Sequence, residues 1–180
     1  LRPDYAGFVF AGKKRRVSDD QAAGLRKALD PSIPAGGVFV DESLEHIGQL
    51  VTAGTIQIVQ LHGCEDDAMI EAVQQTLKVR VIKAFSIASE ADVRQARCSR
   101  ADYILLDHGA GGTGDCFDWA LLAHIDRPYF LAGGLNPDNA AQAAALQPFA
   151  LDVSSGIETD GVKDKEKMKR FMAQVRAYRR

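Results

Sequence analysis

Seven times along this 180-residue chain an apolar, β-branched or aromatic run gives way to a helix-like stretch. The runs are YAGFVF (5–10), GGVFV (36–40), IQIVQLH (56–62), VRVIKAF (79–85), YILLD (103–107), YFLAGG (129–134) and FALDVSSG (149–156). Most read as buried on both faces, the pattern of parallel strands covered by helices. Between them lie helix signatures. SDDQAAGLRKAL opens on Ser18 as an N-cap with acids in its first turn. ESLEHIGQLVTAG ends on Gly54, a suitable residue just past a helix. EDDAMIEAVQQTL, SEADVRQAR, DWALLAHI and NPDNAAQAAAL follow, with Pro137 suited to the first turn of the last. The closing stretch DKEKMKRFMAQVRAYRR spaces Met168, Phe171, Met172 and Val175 at i, i+3, i+4, i+7, which predicts core packing.

Strands alternating with helices at this spacing imply a parallel sheet, either open and doubly wound or closed as a (β/α)8 barrel. The repeat is short and regular, and no composition shift marks a second domain, which favours the barrel. A barrel needs eight strands and seven are visible. The expectation is an α/β, (β/α)8 TIM-barrel chain with seven of eight βα units, forming one domain over residues 1–180. Position 1 is Leu1, and strand-like sequence begins about four residues later. On this reading the first strand and helix precede the given sequence, and the seven-stranded piece leaves two unpaired edges.

The chain carries 22 Lys and Arg against 24 Asp and Glu, a net charge of −2, so no global charge calls for a nucleic-acid partner. No apolar run approaches the length needed to span a bilayer, and the start lacks a signal-peptide layout. Three scattered cysteines without a CxxC pair suit a reducing compartment, and the cytoplasm is expected.

In a barrel, chemistry sits at the C-terminal ends of the strands, and polar and glycine-rich residues gather there. The third run ends in QLHGCE, where Gln60 and His62 are two apart and point to one side of a strand. The fifth ends in Asp107 and then HGAGGTG. The sixth and seventh end in Gly133-Gly134 and in Asp152 with Ser154-Ser155-Gly156. Two consecutive turns of this kind suit a phosphate; the plainer reading is that both are only turns. GAGGTG formally matches a dinucleotide fingerprint, but that motif needs an acid closing the next strand, and YFLAGG ends in glycines. The loop reads instead as a cover over a substrate, with Asp107 beneath it as a general acid or, alternatively, as a loop-bracing carboxylate. The cluster Lys13-Lys14-Arg15-Arg16 is either a solvated charge run or the source of a guanidinium for a substrate carboxylate. His62 is open between a core and a site role. With Cys64 it makes only two candidate metal ligands, so no metal is expected.

Taken together, GFVFAGKKRRVS, GVFVDE, VQLHG, VIKAFSI, LLDHGAGGTGDCFDW, LAGGLNPDN and DVSSGIETDGVKD resemble the phosphoribosylanthranilate isomerase family, in order and over nearly the whole chain. The resemblance implies a cofactor-free Amadori rearrangement of N-(5-phosphoribosyl)anthranilate in tryptophan biosynthesis. It implies Asp107 as the general acid and Arg16, with Arg15 as a possible substitute, as the anchor of the anthranilate carboxylate. Gln60, His62 and Asp152 would line the site, and Gly133, Gly134, Ser154 and Ser155 would cradle the phosphate. The expected partner is a small sugar phosphate, with no nucleic acid and no membrane, and monomer and homodimer are both compatible.

The sequence departs from the family at one point. The family's general base is a cysteine in a K-[IV]-C-G motif on the first barrel strand, and none of Cys64, Cys98 and Cys116 stands in such a motif. Two other readings stand beside the isomerase: a nucleotide-binding oxidoreductase built on GAGGTG, and an inactive phosphate-binding fragment that needs complementation.

Overall fold

The computed structural model describes residues 1–107 and 118–178. The GAGGTG segment (109–114) and Cys116, singled out above, lie outside the described residues. Seven parallel strands alternate with helices, and the chain divides into two compact units. The first comprises Arg2–Ala84 and Ser99–Tyr103; the second comprises Leu1, Phe85–Cys98 and Ile104–Arg180.

In the first unit, β1 (Ala6–Val9), β2 (Ala35–Phe39), β3 (Ile58–Leu61) and β4 (Arg80–Ser86, whose last two residues fall in the second unit) pair in chain order. Helices α1 (Asp19–Ala28), α2 (Leu44–Thr52) and α3 (Asp67–Leu77) connect them. Ser18 and Gln21 form the reciprocal capping box that starts α1, so two otherwise orphaned N–H groups are satisfied. Ser43 and Asp66 cap α2 and α3 by accepting from backbone N–H groups three residues on. Gly54 follows α2 at φ 71°, as its position in the sequence predicts. Alternation sorts each strand: Val59 and Leu61 of β3, Phe39 of β2 and Val81 of β4 enter the helix-side core with Ile47, Ile70 and Val73. Gln60 and Val38 therefore face the other side.

The second unit holds β5 (Tyr103–Asp107, which begins at the first unit's last residue), β6 (Tyr129–Leu131) and β7 (Ala150–Leu151), again parallel and in chain order. With them are α4 (Glu90–Cys98), α5 (Ala140–Ala145) and α6 (Lys165–Tyr178). Its core joins Ile104, Leu106 and Leu131 to Val93, Ala143 and Phe171, and Met168, Val175 and Leu151 pack against it. Of the α6 positions read from the sequence, Met168, Phe171 and Val175 pack into this core.

Some expectations are corrected. DWALLAHI is a 3-10 helix over Trp119–His124, not an α-helix; Asp118 caps it by accepting from Ala120. Helix α5 begins at Ala140, so Pro137 stands in the turn before it, although Ala140 N–H already bonds to Asn136 C=O. The run 149–156 contains a strand of two residues, because Ser155–Ile157 turns into a 3-10 helix. A hairpin follows: β8 (Glu158–Thr159) and β9 (Val162–Lys163) are antiparallel, joined by Asp160 and Gly161. Both turn residues have positive φ, 52° and 79°, the geometry a two-residue hairpin demands of an Asp-Gly pair.

Candidate active site

Parallel register fixes the C-terminal edge of the second unit. Leu106 pairs with Leu131, and Leu131 with Leu151. The next backbone bonds continue in step: Ala132 N–H donates to Leu106 C=O at 2.8 Å and Asp152 N–H to Leu131 C=O at 2.9 Å. Asp107, Ala132 and Asp152 thus form one rung just beyond the last leucines. Those leucines face the helices, so the rung faces the opposite side. Two interstrand steps of the usual spacing, across β6 with Ala132 between, put Asp107 and Asp152 about 10 Å apart. Asp107 is buried, at 9% exposure, and its carbonyl accepts from Ile87 N–H at 2.9 Å. Burial beside a strand end is the setting in which a carboxyl group can exchange a proton with a bound reactant away from bulk water.

Past this rung come the two turns. Gly133 and Gly134 have φ of 84° and 65°, a conformation costly for residues with a Cβ. The Gly134 carbonyl is fixed from two sides, by Asn139 Nδ2 at 3.0 Å and Asn136 Nδ2 at 3.3 Å. Asn136 Oδ1 in turn accepts from Asp138 and Asn139 N–H. Gly156, in the second turn, lies against the first: a Cβ built there would stand 1.8 Å from the Leu135 carbonyl oxygen. The two turns therefore meet backbone to backbone. Ser154 is exposed and Ser155 half-buried at the start of the 3-10 helix.

In the first unit, Gln60 is buried and its Nε2 lies 3.2 Å from His62 Nδ1, so the spacing inferred from sequence does place the two side chains together. The following residues are held by a charged cluster. Lys83 Nζ donates to Gly63 C=O at 2.7 Å and to Glu65 Oε2 at 3.0 Å. Glu65 also accepts from Gly63 and Asp41 N–H. Arg16 forms a parallel bridge with Val9 at the end of β1 and is exposed; Arg15 is half-buried. Cys64 and Cys98 are exposed free cysteines.

Sequence reading missed Asn136 and Asn139, Lys83 with Glu65, and Lys163. The NPDN spacing carries a signal for the first pair, since Asx side chains bond backbone groups two or three residues on. No local signal exists for the others: Lys163 reaches nine residues back to Ser154, and Lys83 18 and 20 residues back to Glu65 and Gly63. Among the described residues no three His, Cys, Asp or Glu side chains are grouped to hold a metal, and no helix is long and apolar enough to cross a membrane.

An acid on one rung with glycine- and serine-bearing turns, at the C-terminal edge of parallel strands, defines an α/β enzyme scaffold suited to an anionic small molecule. The family described as N-(5'-phosphoribosyl)anthranilate (PRA) isomerase matches residues 2–174. The isomerase of Endomicrobium trichonymphae is 44% identical over 172 residues, covering 93% of this chain and 84% of that protein. That of Clostridium acetobutylicum is 41% identical over 99% of this chain and 90% of its own. The crystal structure of the Thermotoga maritima isomerase aligns with a TM-score of 0.87 at 36% identity, over 97% of this chain and 88% of that one. Another solved phosphoribosylanthranilate isomerase, 35% identical with a TM-score of 0.84, is in complex with reduced 1-(o-carboxyphenylamino)-1-deoxyribulose 5-phosphate. This chain belongs to the phosphoribosylanthranilate isomerase family.

Proposed function

We propose that the chain carries the catalytic acid and phosphate turns for the conversion of N-(5-phosphoribosyl)anthranilate to 1-(2-carboxyphenylamino)-1-deoxyribulose 5-phosphate, a step of tryptophan biosynthesis. The observation that carries this reading is the placement of Asp107 on one rung with Asp152, beside the paired turns at Gly133-Gly134 and Ser154-Ser155. In this reading Asp107 donates a proton to the furanose ring oxygen, the C1–O bond breaks and the sugar opens to a Schiff base. A base then removes the C2 proton, leaving an enolamine that gains a proton at C1 and becomes the ketone. Oxidation at C2 balances reduction at C1 within one molecule, so no external redox cofactor enters.

Gly133, Gly134, Ser154 and Ser155 hold the phosphate through backbone N–H and hydroxyl donors. Arg16 takes the anthranilate carboxylate as a bidentate partner, with Arg15 the alternative. Gln60, His62 and Asp152 line the site. The same reading assigns residues 1–180 to a single (β/α)8 barrel domain with seven of its eight βα units, acting in the cytoplasm on a small sugar phosphate, as monomer or homodimer.

The test is conversion of N-(5-phosphoribosyl)anthranilate, measured as product by chromatography, for the 180 residues alone and with an added polypeptide carrying a K-[IV]-C-G strand and its helix. Product in either form supports the reading. No product in both, with the mixture folded and associated, overturns it.

A further inference from the structure

Lys163 stands on the hairpin that follows the second turn, and its ammonium reaches nine residues back. Nζ donates to the Ser154 carbonyl at 2.8 Å and pairs with Glu158 Oε1 at 2.9 Å. The Glu158 side chain is only 7% exposed, so its charge needs this partner, whereas Lys163 keeps 45% of its side chain in solvent. The hairpin is itself clamped. Asp164 N–H bonds to Ile157 C=O, the Thr159 hydroxyl to Asp164, and Lys167 Nζ to Glu158 C=O at 2.7 Å. Lys163 is therefore presented from a braced support.

A trans peptide is planar, with its C=O and N–H pointing in opposite directions, and no cis bond is present among the described residues. Drawing the Ser154 carbonyl toward the hairpin thus aims the Ser155 N–H away from it. Ser154 has φ −123° and ψ −81°, neither helical nor extended, so no regular hydrogen-bond ladder sets this peptide's orientation. On the other side, Gly156 rests against Leu135 and Asn136 of the first turn.

We infer that Lys163 is a positioning residue for the phosphate turn: it fixes the Ser154–Ser155 peptide so that the Ser155 N–H stays available to a phosphate group. This rests on the phosphate role proposed above for Ser154 and Ser155. Lys163 acts through the Ser154 carbonyl and not by contact with the phosphate.

The experiment titrates inorganic phosphate, and separately anthranilate, into uniformly 15N-labelled wild-type, Lys163→Met and Lys163→Arg proteins, reading backbone amide shifts and thermal midpoints. In the wild type the Ser155 and Gly134 amides move with phosphate. Loss of one charge-assisted hydrogen bond weakens phosphate by about 5- to 10-fold in Lys163→Met, leaves anthranilate within about twofold and is largely restored by Lys163→Arg. Equal phosphate affinity in wild type and Lys163→Met overturns the inference alone. Silence of the wild-type Ser155 and Gly134 amides overturns it together with the phosphate reading. Equal weakening of both ligands with a lowered thermal midpoint assigns Lys163 a merely structural role and also overturns it.

Discussion

The Lys83 ammonium lies 3.0 Å from the Glu65 carboxylate, with 7% and 3% of the two side chains exposed. Two buried charges depend on each other and on the backbone groups of Leu61, Gly63 and Asp41 that complete their hydrogen bonds. Removing one partner leaves the other charge uncompensated in a poorly hydrated place. Lys83→Met is expected to cost about 3–5 kcal/mol, and the double variant Lys83→Met/Glu65→Gln distinctly less, since it removes both charges. Urea denaturation of the single and double variants measures this. A double variant as unstable as the sum of the singles would show that the pair is not coupled.

His46 is poised between Asp19, 3.1 Å from Nε2, and Glu42, 3.2 Å from Nδ1, with Phe10 and Phe39 edge-on to its ring. Burial, the largest single influence, favours the neutral ring, but the hydrogen bonds and charges of Glu42 and Asp19 together outweigh it and raise the pKa above 6.5. The folded state then holds the proton more tightly than the unfolded chain. The resulting stability is fully present below the unfolded value and is lost as pH rises through the folded one. The partly exposed site limits it to about 1 kcal/mol. His46→Gln should therefore lack the decline in stability expected of the wild type as pH rises above 6.5. Parallel slopes in urea midpoints against pH would contradict this.

What the sequence disclosed follows the range of the interactions. The Ser18 cap of α1, Gly54 and the α6 face at Phe171 depend on residues within a few positions, and each was readable. The alternation that puts Gln60 and His62 on one side of a strand was readable for the same reason. Lys78, which ends α3 at φ 55°, was not, because a lysine in the left-handed conformation has no compositional cue. Glu65 and Lys83 look in sequence like an ordinary surface acid and a strand lysine. Only the register that pairs Leu61 with Lys83 brings them together. The Asp107 rung is intermediate: each strand end was visible, but the common level of Asp107 and Asp152 required the pairing of β5, β6 and β7.

Asp107→Asn keeps the shape of the side chain and removes its acidity. In the proposed role of general acid, Asp107 should lose about 100- to 10,000-fold in kcat on this change. Binding of inorganic phosphate should stay within about twofold, because the turns proposed to hold it are formed by other residues. Steady-state kinetics in the product assay, with a phosphate titration alongside, reads both quantities. Retention of kcat within threefold or so would assign the proton transfer elsewhere.

Gly156→Ala tests the backbone contact between the two turns. The new Cβ would fall 1.8 Å from the Leu135 carbonyl oxygen and within 2.9 Å of Asn136 Cα. Neither neighbour is a flexible side-chain end, so one turn must move. Overpacking of this kind costs about 1–3 kcal/mol, and here the displaced atoms belong to the segments that carry Gly134 and Ser155. Stability and phosphate affinity should therefore fall together, the thermal midpoint by several degrees, about 2–4 °C per kcal/mol for a chain of this size. Gly161→Ala offers a contrast. Gly161 has positive φ, which Gly156 has not, and nothing stands within 4 Å of its added Cβ. It should cost some stability through the left-handed backbone alone and leave phosphate binding unchanged. If both variants bound phosphate like the wild type, the close approach at Gly156 would be a packing detail and not a determinant of the turn.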